Sequence, residues 1–301
     1  LDSIVLVKQV PDTKNITAKT MKEDGTVNRA ALPAVFNPDD LCALELALQV
    51  RERFGGTVKV MSMGPLRAVE VLRDALCRGA DEAILLSDKR FAAADTLATS
   101  YTLSRAIQKI GRFDLIFCGR QAIDGDTAQV GPQLAEKLGI PQASYAQEVW
   151  LDNGKVRVRR EVEGGFEVLA LPTPALITVS GGYVLPRPKS AKRIIKYRRL
   201  TAKPEIENQL KKEHDEWSEA ELRNRVEEEA EKLARAGLLV PVWGMEDFNV
   251  DVQRIGLVGS PTRVWKVLSV TLHTGESRKV EASESGVLAM MRELVNDHVL
   301  G

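Results

Sequence analysis

Residues 118–132 read CGRQAIDGDTAQVGP, between an apolar run at Leu115–Phe117 and a segment of helical spacing, from about Ala128 to Leu138, that stops at Gly139. A turn that leaves a buried strand and enters a helix is the carboxyl end of a strand, where open α/β sheets collect ligands. Gly119, Gly125 and Gly131 allow the backbone to approach a ligand closely. Thr127 and the amides before the helix suit a phosphate, and Asp124 and Asp126 suit ribose hydroxyls. The same residues fit an Asp-Gly turn followed by a helix cap equally well.

Upstream, the alternation repeats. Ile4–Val7, Val58–Met61 and Ala83–Leu86 are further buried-strand runs, each followed by a segment with helix punctuation. Asn37 stands before Pro38, Asp39 and Asp40, and that helix stops at Gly55-Gly56. The next begins at Met63-Gly64-Pro65 and ends at Gly79. A third is capped by Asp95, carries Thr96, Thr99 and Ser100 in its first turns, and ends at Gly111. Strands alternating with helices predict a Rossmann-like, mostly parallel sheet with helices on both faces. Taken singly, each turn reads as a helix start; together, turns from successive units converge on one sheet edge and suit a nucleotide.

Downstream the pattern changes. Ala143–Val179 reads as antiparallel strands with turns at Asp152-Asn153-Gly154 and Gly164-Gly165. Leu185–Leu200 (LPRPKSAKRIIKYRRL) looks like an exposed basic loop or arm. Charge then alternates through Lys203–Arg235, where Ser218 and Glu221 fit a capping box and Leu222, Val226, Ala230 and Leu233 make an apolar stripe. The remainder holds a strand-like run at Val264–Val270 and a closing helix with Val287, Leu288, Met291, Leu294 and Val295 on one face. It reads as an extended C-terminal arm that packs on a partner.

The composition narrows the function classes. The 301 residues include 42 Lys plus Arg against 42 Asp plus Glu, so no net field draws the chain to nucleic acid or to an anionic membrane. No stretch has the length of a spanning helix, the start lacks the order of a signal peptide, and a cytoplasmic protein is expected. Cys42, Cys77 and Cys118 have no metal-ligand spacing and read as reduced thiols. His214, His273 and His298 lie far from any Gly-rich or acidic turn, so histidine acid–base catalysis is not expected. Classical GxGxxG, P-loop and GxSxG motifs are absent. Any redox chemistry then belongs to a bound cofactor.

Seven segments together resemble the beta subunit of electron-transfer flavoproteins. They are VKQVPD (7–12), FNPDDLCALELAL (36–48), VKVMSMGP (58–65), GADEAILLSD (79–88), the stretch from Cys118 to Gln142, REVEGGFEVLALPTPALITV (160–179) and DFNVDVQRIGLVGSPTRV (247–264). They occur in the family's order, over about residues 4–200 and again near 247. The resemblance implies a heterodimer with an alpha subunit whose FAD is the mobile electron carrier, and a nucleotide held in the α/β domain of this chain. That nucleotide is a structural AMP in simpler members. In electron-bifurcating members it is a second FAD that takes hydride from NADH. ADTLATSY (94–101) and IGLVGSPTRV (255–264) are similar to the second group, so FAD is expected and AMP is the alternative, the chain then serving as scaffold and docking surface.

Carried over by position, the cofactor contacts are Leu6, Asn37, Asp40, Met63, and Ala122, Asp124, Gly125, Asp126, Thr127, Ala128, Gln129 and Val130. Gly64, Asp95 and Gly131 complete the expected site from the residue reading. Thr96 and Thr99 would face the flavin, with Thr99 tuning it and Asp126 fixing its nucleotide part. Pro186–Lys196 aligns with the family's recognition loop, and Ala191 falls at the anchor that grips an acyl-CoA dehydrogenase. Docking through Pro186, Arg187, Lys189, Ala191, Lys192 and Arg193, to such an enzyme or to another flavin or iron–sulfur oxidoreductase, is therefore expected. The expected organisation is 1–184 for the nucleotide domain, 185–200 for the recognition loop, and 201–301 for a charged insertion and an arm on the alpha subunit. The charged segment 203–244 is longer than in the short members.

Overall fold

A computed structural model of the chain describes residues 1–12, 33–262, 279–297 and 299, and it divides into two units, 1–264 and 265–301. The centre of the first unit is a short strand of four buried residues, β1 (Ser3–Leu6). The chain leaves it through a small antiparallel pair, β2 (Gln9–Pro11) with β3 (Ala34–Phe36), and enters helix α1 (Pro38–Phe54). It then adds parallel strands outward, β4 (Val58–Met63) beside β1 and β5 (Glu82–Leu86) beside β4, with α2 (Val69–Arg78) between them. Helix α3 (Thr96–Ile110) carries it back across, so that β6 (Leu115–Gly119) pairs with the other side of β1. The strand order therefore reverses between β1 and β6, which makes their carboxyl ends a topological switch point.

Helix α4 (Val130–Leu138) leads into β7 (Gln142–Asp152), β8 (Lys155–Val162), β9 (Gly165–Leu171) and β10 (Ala175–Val179). The pairs β7/β8 and β8/β9 are antiparallel, as expected. Strand β10 differs: it inserts between β6 and β7 and is parallel to both. Its five residues are all buried, so their pattern carries no alternation from which a direction could be read. With a short strand from further along the chain, β13 (Val242–Trp243), the sheet has nine strands among the described residues, in the order β13-β5-β4-β1-β6-β10-β7-β8-β9. One buried cluster around Leu44, Leu48, Leu72 and Phe117 packs one face, and a second around Ile4, Met61, Ile107 and Leu134 packs the other.

Two segments depart from the sequence reading. In 185–200, residues Ala191–Tyr197 form helix α5, and Tyr197 and Leu200 are buried against the main core. After a two-residue strand β11 (Thr201–Ala202), helices α6 (Lys203–Glu213) and α7 (Glu219–Arg235) form a hairpin with its own small core of Ile206, Ala230 and Leu233. The capping box expected at Ser218 and Glu221 is formed. Residues 239–262 do not continue as an arm. Strand β12 (Leu239–Val240) pairs with β11, β13 (Val242–Trp243) extends the main sheet beside β5, and Phe248 and Ile255 enter the second buried cluster. Two-residue strands on either side of Pro241 are too short to show a period, which is why this return was not legible.

In the second unit, α8 (Glu284–Asn296) forms as expected, with Ser283 capping it through Gly286 N. Val287, Leu288, Met291 and Val295 on it are exposed. The strand-like run at Val264–Val270 lies outside the described residues. Among the described residues, no helix is long and apolar enough to cross a membrane.

Candidate functional site

Helix α1 begins at the switch point, and its first turn is unusually buried: Asn37 is 0% exposed, Asp39 8% and Asp40 7%. Asn37 occupies the N-cap position, but its side chain makes no cap hydrogen bond. Instead Nδ2 donates to Gln121 O at 2.8 Å and Oδ1 accepts from Ile123 N at 3.1 Å. Asp40 accepts from Gly119 N at 2.9 Å and from Lys8 N at 2.9 Å, so one carboxylate ties the ends of β1 and β6. Burial pushes its pKa up to about 7, against the pull of the Gly119 amide, the Asn37 side chain and the Lys8 amide. Burial also raises Asp39, against the opposing charge of Arg120, whose Nε stands 3.5 Å from its Oδ2.

The loop itself is held at several points. Lys8 Nζ lies 2.8 Å from Asp124, and Gln121 Nε2 donates to Asp126 Oδ1 at 2.8 Å. Gly125 N and Asp126 N both turn back to Ala122 O. Asp126 and Ala128 have left-handed backbone, with φ of 49° and 52°. Such a conformation costs roughly 1–2 kcal/mol per non-glycine residue, and strain of this kind collects at sites whose surroundings enforce it. The first intrahelical bond of α4 runs from Gln133 N to Gln129 O, which leaves the amides ahead of it free of the helix ladder. With the positive end of the α4 dipole they form an anion-accepting edge.

The three glycines of the loop have different roles. A Cβ on Gly119 would stand 2.6 Å from Asp40 Oδ1, and one on Gly131 would stand 2.7 Å from Thr178 Cγ2 and 2.9 Å from Cys118 Sγ. The close approaches they permit are to α1 and to the sheet. Only at Gly125 is the space open, with nothing within 4 Å.

The α3 turn meets the loop. Thr96 Oγ1 donates to Gln129 Oε1 at 2.9 Å and accepts from Gln133 Nε2 at 3.3 Å, which joins the amino ends of α3 and α4. Asp95 caps α3 through Ala98 N, and its other oxygen accepts from Thr262 N at 3.0 Å. Its own amide donates to Ser260 Oγ at 2.8 Å. Thr99 is half-buried one turn further along. Leu6 and Met63 are at the carboxyl ends of β1 and β4, and Gly64 N continues the ladder to Leu86 O. All the expected cofactor residues thus lie on one edge of the sheet. A surface hollow lined by Lys59, Asp81, Glu82, Lys109 and Trp243 is at the opposite, amino ends of β4 and β5.

The expected docking segment is tied down more than its composition suggested. Arg187 pairs with Glu45 at 2.7 Å and with Glu52, both on α1, and Arg78 donates to its carbonyl. Lys189 pairs with Asp74 at 2.8 Å, and Arg193 donates to Leu76 O and Ala80 O. Ala191 and Lys192 are exposed, and Pro186 is half-buried. Two apolar side chains project strongly from it: Leu185 is 89% exposed and Ile195 77%. Neither was expected from the sequence, since a lone apolar residue in a basic run carries no period that marks it as outward-facing.

Residues 24–218 match the family model described as the electron transfer flavoprotein domain. The chain is 41% identical over 264 residues to the electron transfer flavoprotein subunit beta of Thermoanaerobacterium thermosaccharolyticum, an alignment that covers 88% of this chain and 86% of that protein. It is 38% identical over 299 residues to protein FixA of Bradyrhizobium diazoefficiens, covering 97% and 90%. It is 48% identical over 176 residues to the caffeyl-CoA reductase-Etf complex subunit CarD of Acetobacterium woodii, covering 58% and 66%.

Proposed function

The chain belongs to the electron transfer flavoprotein family as a beta subunit, and from that premise we propose that the β1/β6 edge holds FAD, which takes hydride from NADH and passes electrons to the FAD of an alpha subunit. A beta subunit implies an alpha subunit and a dehydrogenase as partners. The observation that carries the FAD reading is the junction of Thr96 with Gln129. It sets the Thr96 hydroxyl of α3 and the Gln129 side-chain amide before α4 side by side, polar groups of the kind a flavin ring would need.

The residues fit such a group. The open side of Gly125 and the amides preceding Gln133 suit the phosphates, and Asp126, oriented by Gln121, suits a ribose hydroxyl. When bound, the flavin supplies two-electron and one-electron chemistry that no side chain here can. The protein would orient it, and the Thr99 hydroxyl is a donor of the kind that shifts a ring's potential, while Thr96 holds Gln129 in place. No protein base or nucleophile is needed for such chemistry.

The second reading, a structural AMP with the chain acting as scaffold and docking surface, draws support from how fully these groups are already paired. Asp95 and Thr96 are already satisfied by Thr262, Ser260, Gln129 and Gln133. The two are separated by purifying the heterodimer, releasing its cofactors and counting flavin. Two flavins per heterodimer, with bleaching on anaerobic NADH titration, support FAD; one flavin plus AMP, with no bleaching, overturns it.

Docking of the dehydrogenase is proposed for the 185–196 segment. Arg187, Lys189 and Arg193 shape that segment from within, while Leu185, Ile195 and Lys192 are the groups it presents.

A further inference from the structure

We propose that Asn37 and Asp40 act on the nucleotide without touching it, as positioning residues that preset the loop 119–126 from the first turn of α1. The inference rests on the reading that this loop holds a nucleotide, and it assigns these two side chains a different role from the direct contact that family position suggests.

Both side chains are buried and already hydrogen-bonded within the chain. A side-chain amide has two N–H donors and one carbonyl acceptor. Asn37 donates to Gln121 O at 2.8 Å, and its oxygen accepts from Ile123 N at 3.1 Å. Its backbone is occupied as well, the amide by Lys8 O and the carbonyl by Leu41 N. The amide orientation is fixed by these partners, because Gln121 O requires a donor and Ile123 N an acceptor. On Asp40, one oxygen takes Gly119 N and the other Lys8 N. Asn37 is 0% exposed and Asp40 7%, so a ligand could reach either side chain only by opening the packing around it. Buried polar groups deprived of their partners are costly, so these bonds persist when a ligand arrives.

What they fix is the path of the loop. Gly119, Gln121 and Ile123 are gripped at alternate residues from one side, and the exposed pair of Lys8 with Asp124 adds a fourth point. The left-handed residues Asp126 and Ala128 follow at once, at the place where the amides turn toward the anion-accepting edge. A loop held in this way does not pay the ordering entropy at the moment of binding, and such preorganisation appears as affinity.

The test uses the heterodimer with its alpha subunit, as purified and after removal of the beta-site nucleotide. Amide hydrogen exchange is followed at Gly119 and Ile123, and nucleotide retention is measured by dilution. Slow exchange at both amides in the stripped wild type, lost in Asn37→Ala together with a tenfold or greater weakening of retention, supports the proposal. Asn37→Asp keeps the acceptor for Ile123 N, loses the donor to Gln121 O, and should fall between. Ile116→Val, in the core of β6, controls for general destabilisation and should leave retention unchanged. Fast exchange at Gly119 and Ile123 in the stripped wild type, with protection only when nucleotide is bound, overturns the proposal, as does undiminished retention in Asn37→Ala. A wild-type heterodimer that releases no beta-site nucleotide would instead defeat the reading on which the proposal rests.

Discussion

The amide of Gly119 donates to Asp40 Oδ1 at 2.9 Å, and a methyl group placed on Gly119 would stand 2.6 Å from that same oxygen. The strand end and the helix start are thus at hydrogen-bonding separation, with no room for a side chain between them. Gly119→Ala should cost about 1–3 kcal/mol, the usual range for overpacking a tight site, read as a lower urea midpoint at unchanged slope. Cofactor content should fall with it, because the displaced residue begins the loop. A midpoint equal to wild type would show that α1 can retreat without cost.

Asp40 also makes stability depend on pH. Burial raises its folded pKa to about 7 from the ordinary aspartate value of 3.8. The folded state therefore binds the proton more tightly, and the contribution is fully present below about pH 4 and is lost as pH rises through 7. The full span is roughly 4 kcal/mol at 1.36 kcal/mol per pKa unit. Nearby groups modify it: Asp39 is itself raised by burial, Lys8 is engaged with Asp124, and burial raises the Cys118 thiol far above neutrality. Urea titrations from pH 5 to 8 should show a fall in wild type that Asp40→Asn largely removes. Equal slopes in the two proteins would mean that another group titrates.

Glu45 is 5% exposed and relies on Arg187. Burial alone would raise its pKa, but the hydrogen bonds from Arg187 and Gln49 outweigh burial and hold it below the usual carboxylate range. Arg187→Ala leaves that carboxylate buried without its cation, a change that costs about 3 kcal/mol or more. The double variant Glu45→Gln with Arg187→Ala should recover part of the loss. The same variants test whether α1 holds the 185–190 segment, since proteolysis there should quicken in the single variant.

What could be read from the sequence follows the range of each interaction. Asp95 at α3 and the Ser218–Glu221 pair at α7 were legible because a cap is made within three residues of chain. The meeting of the candidate loops on one sheet edge was legible too, since it needs only the order of strands and helices. The roles of Asn37 and Arg187 were not: their partners lie 84 and 142 residues away. Sequence marks Asn37 as a helix cap and Arg187 as surface charge. Only the topology, which brings β6 beside β1 and lays 185–200 on α1 and α2, shows that both side chains are spent inside the chain. The direction of β10 and the return of β13 to β5 were hidden for the same reason.

The docking segment yields the last prediction. Its basic composition suggests recognition by charge, yet Arg187, Lys189 and Arg193 are engaged within the chain, and Leu185 and Ile195 project at 89% and 77% exposure. Burying a projecting Leu or Ile in a partner pocket contributes about 1.5–3 kcal/mol, whereas exposed ion pairs contribute about 0–1 kcal/mol and weaken with salt. Leu185→Asp and Ile195→Asp should therefore leave the urea midpoint within about 0.5 kcal/mol of wild type, as for surface changes generally. Electron transfer to the partner dehydrogenase should fall about tenfold or more in kcat/KM, with NADH-dependent flavin reduction unchanged. Lys192→Glu should have the smaller effect and should lose it as ionic strength rises. The reverse ranking, with Lys192 dominant and the apolar variants silent, would show that the segment is recognised by its charge after all.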